Sequence, residues 1–176
     1  MQSSPDLHGK QTVKVALIGN PNTGKSTLFN ALAGMNARIG NYPGVTVEKK
    51  IGRVEWSGLT IDLIDLPGAY SLSPRSLDEL VSVEVLTGQH DEVGPIDAIA
   101  CIADASNLER NLYLLSQLCD IGTPIILILN MWDSVERNGL RLSATKLAEK
   151  LGINVVVTEA HRLKGIRMIG VPMSHN

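Results

Sequence analysis

Short apolar runs of strand length alternate along the chain with segments in which apolar residues recur at helical spacing. Most predicted strands are separated by a predicted helix, so successive strands are expected to lie parallel. The exception is an early hairpin, in which Ser57-Gly58 forms the turn. The pattern predicts an α/β fold with a mostly parallel six-stranded sheet, one antiparallel strand, and helices on both faces. The expected strands span about 12–19, 47–56, 59–64, 96–103, 124–129 and 153–158, and the expected helices about 25–33, 77–85, 108–121 and 143–151.

Three segments do not fit this alternation. Residues 1–11 are polar and contain a proline and a glycine, which predicts a flexible N-terminal tail. Residues 167–176 contain glycine and proline without an amphipathic period, which predicts a poorly structured or altered C-terminal tail. One domain is therefore expected over 12–166. Within it, residues 35–46 carry turn formers and show no period, so a long loop is expected there, functional or mobile.

The clearest chemical motif lies between the first predicted strand and the first predicted helix. A strand, a glycine-bounded loop ending in Gly-Lys-Ser, and a helix are the context of a Walker A phosphate loop. Backbone N–H groups and the helix N-terminus would face a polyphosphate, Lys25 adds positive charge, and the Ser26 hydroxyl can ligate Mg²⁺. The predicted phosphate loop consists of Gly19, Asn20, Pro21, Asn22, Thr23, Gly24, Lys25, Ser26 and Thr27.

Two further segments suit the phosphate end of a nucleoside triphosphate. After the third strand, Asp65 can hold Mg²⁺ through water, and Gly68 allows its backbone N–H to approach the γ-phosphate. On the long loop, the hydroxyl of Thr46 could reach Mg²⁺ and the γ-phosphate and order the loop only while that phosphate is present. The predicted nucleotide contacts in these segments are Asp65, Leu66, Pro67 and Gly68, and Gly44, Val45 and Thr46.

Asn130 to Asp133 follow the fifth predicted strand and predict the choice of base. The carboxylate of Asp133 can accept from guanine N1–H and the 2-amino group, whereas adenine would leave it buried and unpaired. Met131 can cover the base with an apolar, polarizable side chain. After the last strand, Thr158, Glu159 and Ala160 form a weaker match, in which the Ala160 N–H would reach guanine O6.

Together these segments look like the G domain of the translation-factor-related small GTPases, with a Ras-like P-loop NTPase fold. Hydrolysis of GTP to GDP would be an in-line attack of water on the γ-phosphate, with Mg²⁺, Lys25 and backbone dipoles neutralising charge. Ala69 stands where Ras-like enzymes carry a water-orienting glutamine. A methyl group cannot orient water, so the intrinsic rate is expected to be slow.

Four longer sequence segments carry a closer resemblance: Gly19 to Ser26, Gly40 to Glu48, Asp65 to Leu72, and Asp104 to Leu114. They resemble the N-terminal cytosolic G domain of the FeoB family of bacterial ferrous iron transporters, over about residues 12–166. The segment from Asp104 to Leu114 is not required by nucleotide chemistry, so it is the part of the resemblance that is specific to this family. The resemblance implies a GTP-binding domain that regulates or powers Fe²⁺ uptake, on the cytoplasmic side of an inner-membrane protein. The implied partners are the transporter's helical and membrane domains, with self-association through the switch regions.

FeoB-like G domains are similar to potassium-activated GTPases, so the resemblance also implies a K⁺ site. Its ligands would be the side chain of Asn22 and the backbone carbonyls of Gly40 and Tyr42. A cation held against the phosphates can stand in for an arginine finger, which fits Ala69. Family members more often carry Trp where Tyr42 stands, but the implied ligand there is a backbone oxygen.

Composition narrows the alternatives. A net charge of −2, a pI near 6.1 and 3% aromatic residues disfavour a nucleic-acid partner. No apolar run approaches the roughly 18 residues of a membrane span. Cys101 and Cys119 lack metal-ligand spacing and are expected to be reduced core residues.

Three other function classes remain open on the sequence. A potassium-dependent GTPase of ribosome assembly or tRNA modification would share Asn22, although no basic face is evident. A P-loop small-molecule kinase would have no use for Asp133 as a guanine reader. A nucleotide switch that does not hydrolyse GTP would be consistent with Ala69.

Overall fold

The computed structural model describes residues 12–56, 59–162 and 165. The predicted tails, 1–11 and 167–176, lie outside this range. The helices are α1 (Lys25–Ala33), α2 (Leu77–Leu86), α3 (Leu108–Asp120), α4 (Trp132–Arg137) and α5 (Ala144–Leu151). The strands are β1 (Thr12–Gly19), β2 (Ala37–Asn41), β3 (Glu48–Trp56), β4 (Leu59–Asp65), β5 (Ala98–Asp104), β6 (Ile125–Asn130) and β7 (Asn154–Val157).

The described strands form one sheet in the order β2-β3-β4-β1-β5-β6-β7. Within it β3 is antiparallel to both neighbours, whereas the β1–β4, β1–β5, β5–β6 and β6–β7 pairs are parallel. The predicted α/β architecture is therefore confirmed. The carboxyl ends of the parallel strands share one edge of the sheet, and ligands of such sheets bind at that edge. The loops carrying the predicted site all begin there.

The sheet has seven strands rather than six, because part of the predicted long loop is a strand. Residues 37–41 form β2, which pairs antiparallel with β3 so that Gly40 lies opposite Lys49. Four of its five residues are exposed, and Ile39 keeps 68% of its surface accessible. Backbone hydrogen bonding, rather than burial of an apolar face, therefore holds this strand. Only residues 42–47 are irregular, as predicted for the loop.

Two hydrophobic layers cover the two faces of the sheet. Along β1, Ala16 and Ile18 belong to one layer, whereas Leu17 belongs to the other, as the alternation of strand side chains requires. Helix α1 packs so closely on β3 that a Cβ at Gly52 would lie 2.2 Å from the Cβ of Ala33. This contact holds the C-terminal end of α1 against the sheet.

The two cysteines differ in environment, which corrects the expectation that both are core residues. Cys101 is buried in β5, whereas Cys119 is exposed near the end of α3. Burial, with a smaller contribution from Cys119, raises the pKa of the Cys101 thiol to about 12.

We therefore expect one rapidly reacting thiol in the native domain. A colorimetric disulfide reagent at pH 8 should label Cys119 and leave Cys101 protonated and unmodified until denaturant is added. Raising the pH to 10 should accelerate the reaction of Cys119, because more of that exposed thiol is then deprotonated, whereas Cys101 stays buried and mostly protonated below its raised pKa. In Cys119→Ser the fast phase should disappear. Fast labelling of two thiols in the unmodified domain would contradict the buried position of Cys101.

Candidate guanine-nucleotide site

The phosphate loop runs from the end of β1 to the start of α1, as its sequence predicts. Asn22 and Gly24 take left-handed backbone conformations, with φ of 64° and 85°. The Thr23 hydroxyl is buried and donates to the carbonyl oxygen of Asn20 at 2.9 Å, which closes the turn. Asn22, Ser26 and Thr27 have exposed side chains. The loop thus has the local form that a polyphosphate-binding turn needs.

The segment after β4 lies directly on this loop. The Leu66 N–H donates to Leu17 O at 3.0 Å, and the Ala69 N–H donates to Gly19 O at 3.1 Å. A Cβ at Gly68 would lie 3.3 Å from both Gly19 O and the Pro21 nitrogen, so a side chain here would crowd the loop. The structure thereby places the Asp65 to Gly68 segment beside the phosphate loop, where the sequence predicted it.

Lys25 and Asp65 form an ion pair across this junction. The side chains retain only 14% and 9% of their surface, respectively. The predicted phosphate-binding ammonium and the predicted Mg²⁺-binding carboxylate are therefore within reach of each other. Oxygen donors of this kind are those Mg²⁺ prefers, so Ser26 and Asp65 fit that ion chemically. Across the described ranges, no group of three His, Cys, Asp or Glu side chains forms a metal cluster.

Asn130 joins the phosphate end of the site to the base end. It is 2% exposed, and its Nδ2 donates to Thr23 O at 2.9 Å. Its Oδ1 accepts from the Thr158 hydroxyl at 3.1 Å and from the Ala160 N–H at 2.9 Å. Gly24 must be a glycine here, because a Cβ would come within 2.3 Å of Asn130 Nδ2. One amide side chain at the end of β6 thus joins two loops that are far apart in sequence.

This arrangement bears on the predicted role of Ala160. Its N–H is directed to Asn130 rather than left open toward a ligand. The contact with guanine O6 stays a prediction, and it would require this N–H to be shared or redirected. The side chain of Glu159, also predicted at the site, is mostly buried and lies 3.5 Å from an Arg162 guanidinium nitrogen.

Asp133 lies in the first turn of α4, at the carboxyl edge of the sheet. It is 9% exposed, and one of its oxygens accepts from Arg137 Nη2 at 2.6 Å. Met131, with a φ of 60°, turns the chain between β6 and α4, and its methyl group lies near Gly24. Met131, predicted to cover the base, therefore adjoins the phosphate loop, and Asp133 follows it by two residues. The role of Arg137 had no sequence signal beyond its position four residues after Asp133.

The predicted K⁺ ligands are not all brought together. Gly40 lies in β2, three places from β1 in the strand order, whereas Asn22 lies in the loop after β1. Tyr42 is 1% exposed, and its carbonyl accepts from the Val45 N–H at 3.3 Å. Thr46, between this turn and β3, is exposed. The oxygen donors suit a monovalent cation chemically, but strands β3 and β4 lie between the strand of Gly40 and β1, whose end leads to Asn22.

Tyr42 itself is held by contacts that the sequence did not predict. Its ring meets that of His90 edge to face, with centroids 5.1 Å apart. The Lys49 ammonium lies 5.8 Å from the Tyr42 ring centroid and pairs with Glu92 at 2.7 Å. Burial, followed by the Asp65 and Glu92 carboxylates, raises the pKa of Tyr42 to about 12. Aromatic spacing alone could not reveal this contact, because His90 is distant in sequence.

Comparison with known proteins identifies the family. A family model described as ferrous iron transport protein B matches residues 13–171. The chain belongs to the FeoB family. The Fe(2+) transporter FeoB of Escherichia coli strain K12 is 43% identical over 159 residues, which are 88% of this chain and 20% of that protein. The Salmonella typhimurium FeoB is 42% identical over 167 residues, 92% of this chain and 21% of that protein.

Solved FeoB structures agree with this assignment. A mutant of S. thermophilus NFeoB bound to GDP superposes with a TM-score of 0.81 at 43% identity, covering 89% of this chain and 59% of that one. The G domain of T. maritima FeoB gives a TM-score of 0.81 at 40% identity, covering 90% and 94%. The chain spans about a fifth of the curated FeoB transporters and nearly all of that solved G domain. None of the helices described here has the length and apolar character to cross a bilayer.

Proposed function

We propose that this chain binds GTP and GDP and hydrolyses GTP, and that it regulates or powers Fe²⁺ uptake as the cytoplasmic domain of an inner-membrane FeoB transporter. The observation that carries the proposal is the hydrogen bonding of Asn130, which links the phosphate loop at Thr23 to the base loop at Ala160. A site built this way recognises both ends of one nucleotide. The GDP bound to the S. thermophilus relative supports the same choice of ligand.

The residues divide the hydrolytic work as follows. Backbone N–H groups of residues 22–27 and the Lys25 ammonium would bind the phosphates, and Gly68 would present its N–H to the γ-phosphate. Mg²⁺, held by Ser26, Thr46 and, through water, Asp65, would supply charge neutralisation. The Ala69 side chain is buried in the core, so position 69 presents no group to the attacking water. Slow turnover without a further activator is expected.

A potassium ion is the proposed activator. Asn22 would supply a side-chain oxygen, and the carbonyls of Gly40 and Tyr42 would complete the site after residues 40–42 leave their present place beside β3. The extra positive charge would then offset the charge that develops on the transferring phosphoryl group.

GTP turnover should accordingly be faster in KCl than in NaCl at equal ionic strength. Asn22→Ala is expected to lose this stimulation while keeping affinity for GDP within a few fold, because phosphate binding rests on Lys25 and the loop backbone. Asn36→Ala, which removes an exposed asparagine outside the phosphate loop, is the matched control. Phosphate release measured in both salts decides the matter, and equal rates in the unmodified domain would remove the potassium site.

A nucleotide switch that does not turn over GTP is the second candidate, favoured by the buried methyl group of Ala69. It would bind GTP and GDP tightly yet release no phosphate in either salt. The proposed partners are the helical and membrane domains of the transporter, and a second copy of this domain through the switch regions. No nucleic-acid partner is proposed, because the net charge is −2.

A further inference from the structure

We infer that the contact between Tyr42 and His90 holds residues 40–46, here called the switch segment, against the sheet, and so sets how much potassium the domain requires. The inference rests on the proposed function, because it concerns the same potassium site. It assigns a conformational role to His90, which lies in the connection between α2 and β5 and contacts the predicted potassium ligand Tyr42.

The docked position of the switch segment is fixed from two sides. On the sheet side, β2 pairs with β3, and the Tyr42 N–H donates to Val47 O at 3.0 Å. On the other side, the Tyr42 ring inserts among buried residues and meets the His90 ring edge to face. The connection is itself anchored, since the Gly94 N–H donates to His90 O at 2.8 Å.

Charged neighbours add to the same anchor. Lys49 of β3 pairs with Glu92 of the connection and lies against the Tyr42 ring. Neither the Tyr42 hydroxyl oxygen nor His90 Nδ1 has a hydrogen-bond partner among the described residues. The two rings are therefore held by their edge-to-face contact and by packing, so the anchor is of moderate strength. A contact of this kind can be broken and remade as a ligand binds.

The docked position and the potassium site exclude each other. Neighbouring strands are about 4.8 Å apart, so Gly40 in β2 lies roughly 14 Å across the sheet from β1, whose end leads to Asn22. No single cation can contact both residues while β2 keeps its pairing. Tyr42 is two residues from Gly40, so moving Gly40 to Asn22 also draws the Tyr42 ring away from His90.

A contact that exists only in the docked position must oppose potassium binding. A ligand shifts such an equilibrium by its preference for one state, and removing a contact from the other state lowers the ligand concentration needed. Loss of an aromatic edge-to-face pair corresponds to a change of about two- to tenfold in the equilibrium. The half-saturating potassium concentration should fall by the same factor.

The test compares His90→Ala, His90→Phe and Gln89→Ala in the whole domain. In His90→Ala, the potassium concentration that half-activates GTP turnover should fall about two- to tenfold. His90→Phe keeps an aromatic edge and should stay close to the unmodified value. Gln89→Ala alters an exposed neighbour in the same connection and should change nothing. A half-activating concentration that rises or stays constant in His90→Ala overturns the inference.

Hydrogen exchange gives a readout that does not depend on turnover. Peptides covering residues 41–47 should exchange about two- to tenfold faster in His90→Ala than in the unmodified domain, while peptides from β5 keep their protection and show that the fold is intact. Unchanged exchange at 41–47 would overturn the anchor itself. A lack of potassium stimulation in the unmodified domain would instead overturn the proposed potassium site, so the two failures are distinguishable.

Discussion

Asp133→Asn is expected to weaken GDP binding by about a hundredfold or more and to raise the affinity for xanthosine diphosphate (XDP). Guanine presents two donors, N1–H and the 2-amino group, and an asparagine amide cannot accept both. Xanthine carries a carbonyl oxygen at position 2, to which the new amide can donate. The hydrogen bond from Arg137 to Asp133 limits how far the side chain can turn to avoid this mismatch.

Calorimetry with GDP, XDP and ADP measures this change directly. Asp120→Asn, at an exposed position at the end of α3, is the matched control and should bind GDP as the unmodified domain does. A P-loop kinase would instead show ADP bound at least as well as GDP. If Asp133→Asn kept full GDP affinity, Asp133 could not be the group that selects the base.

Lys25→Ala is expected to reduce GTP turnover about a thousandfold or more, the second large effect. The substitution removes the one phosphate-loop cation and leaves the buried Asp65 carboxylate without its ion-pair partner. We therefore also expect the free energy of unfolding to fall by about 1–3 kcal/mol.

The double variant Lys25→Ala, Asp65→Asn separates these two consequences. Removing the charge of Asp65 should recover most of the lost stability in denaturant titrations, because no buried charge then lacks a partner. Turnover should remain at background. Lys146→Ala, on the exposed face of α5, controls for loss of a lysine as such. Near-normal turnover in Lys25→Ala would show that the phosphate loop does not act as proposed.

The sequence predicted best those features whose signal is local. The phosphate loop is one contiguous stretch between an apolar strand and a helix, and the structure places both flanks at the predicted residues, Thr12–Gly19 and Lys25–Ala33. The parallel strands were equally clear, since their buried apolar runs differ sharply from the amphipathic helices. These signals arise because buried positions are occupied by apolar residues, so the pattern of apolar residues along the sequence shows which positions are buried.

Features held by backbone pairing or by distant side chains escaped prediction. Strand β2 exposes nearly all its side chains, so its sequence carries no alternation, and only the partner edge of β3 makes it a strand. The bonds of Asn130 to Thr23 and Ala160 cross 107 and 30 residues of sequence. A motif can mark such a residue but cannot show which loops it joins.

The hydrogen bonds of Asn130 to two loops have a consequence for how nucleotide release could be regulated. A single amide holds both the turn at Thr23 and the loop after β7. If the nucleotide binds as proposed, any change that loosens residues 158–160 would also weaken phosphate binding, and base selectivity would be coupled to the residence time of the product. A partner domain that pressed on the loop after β7 could hasten GDP departure without touching the nucleotide at all.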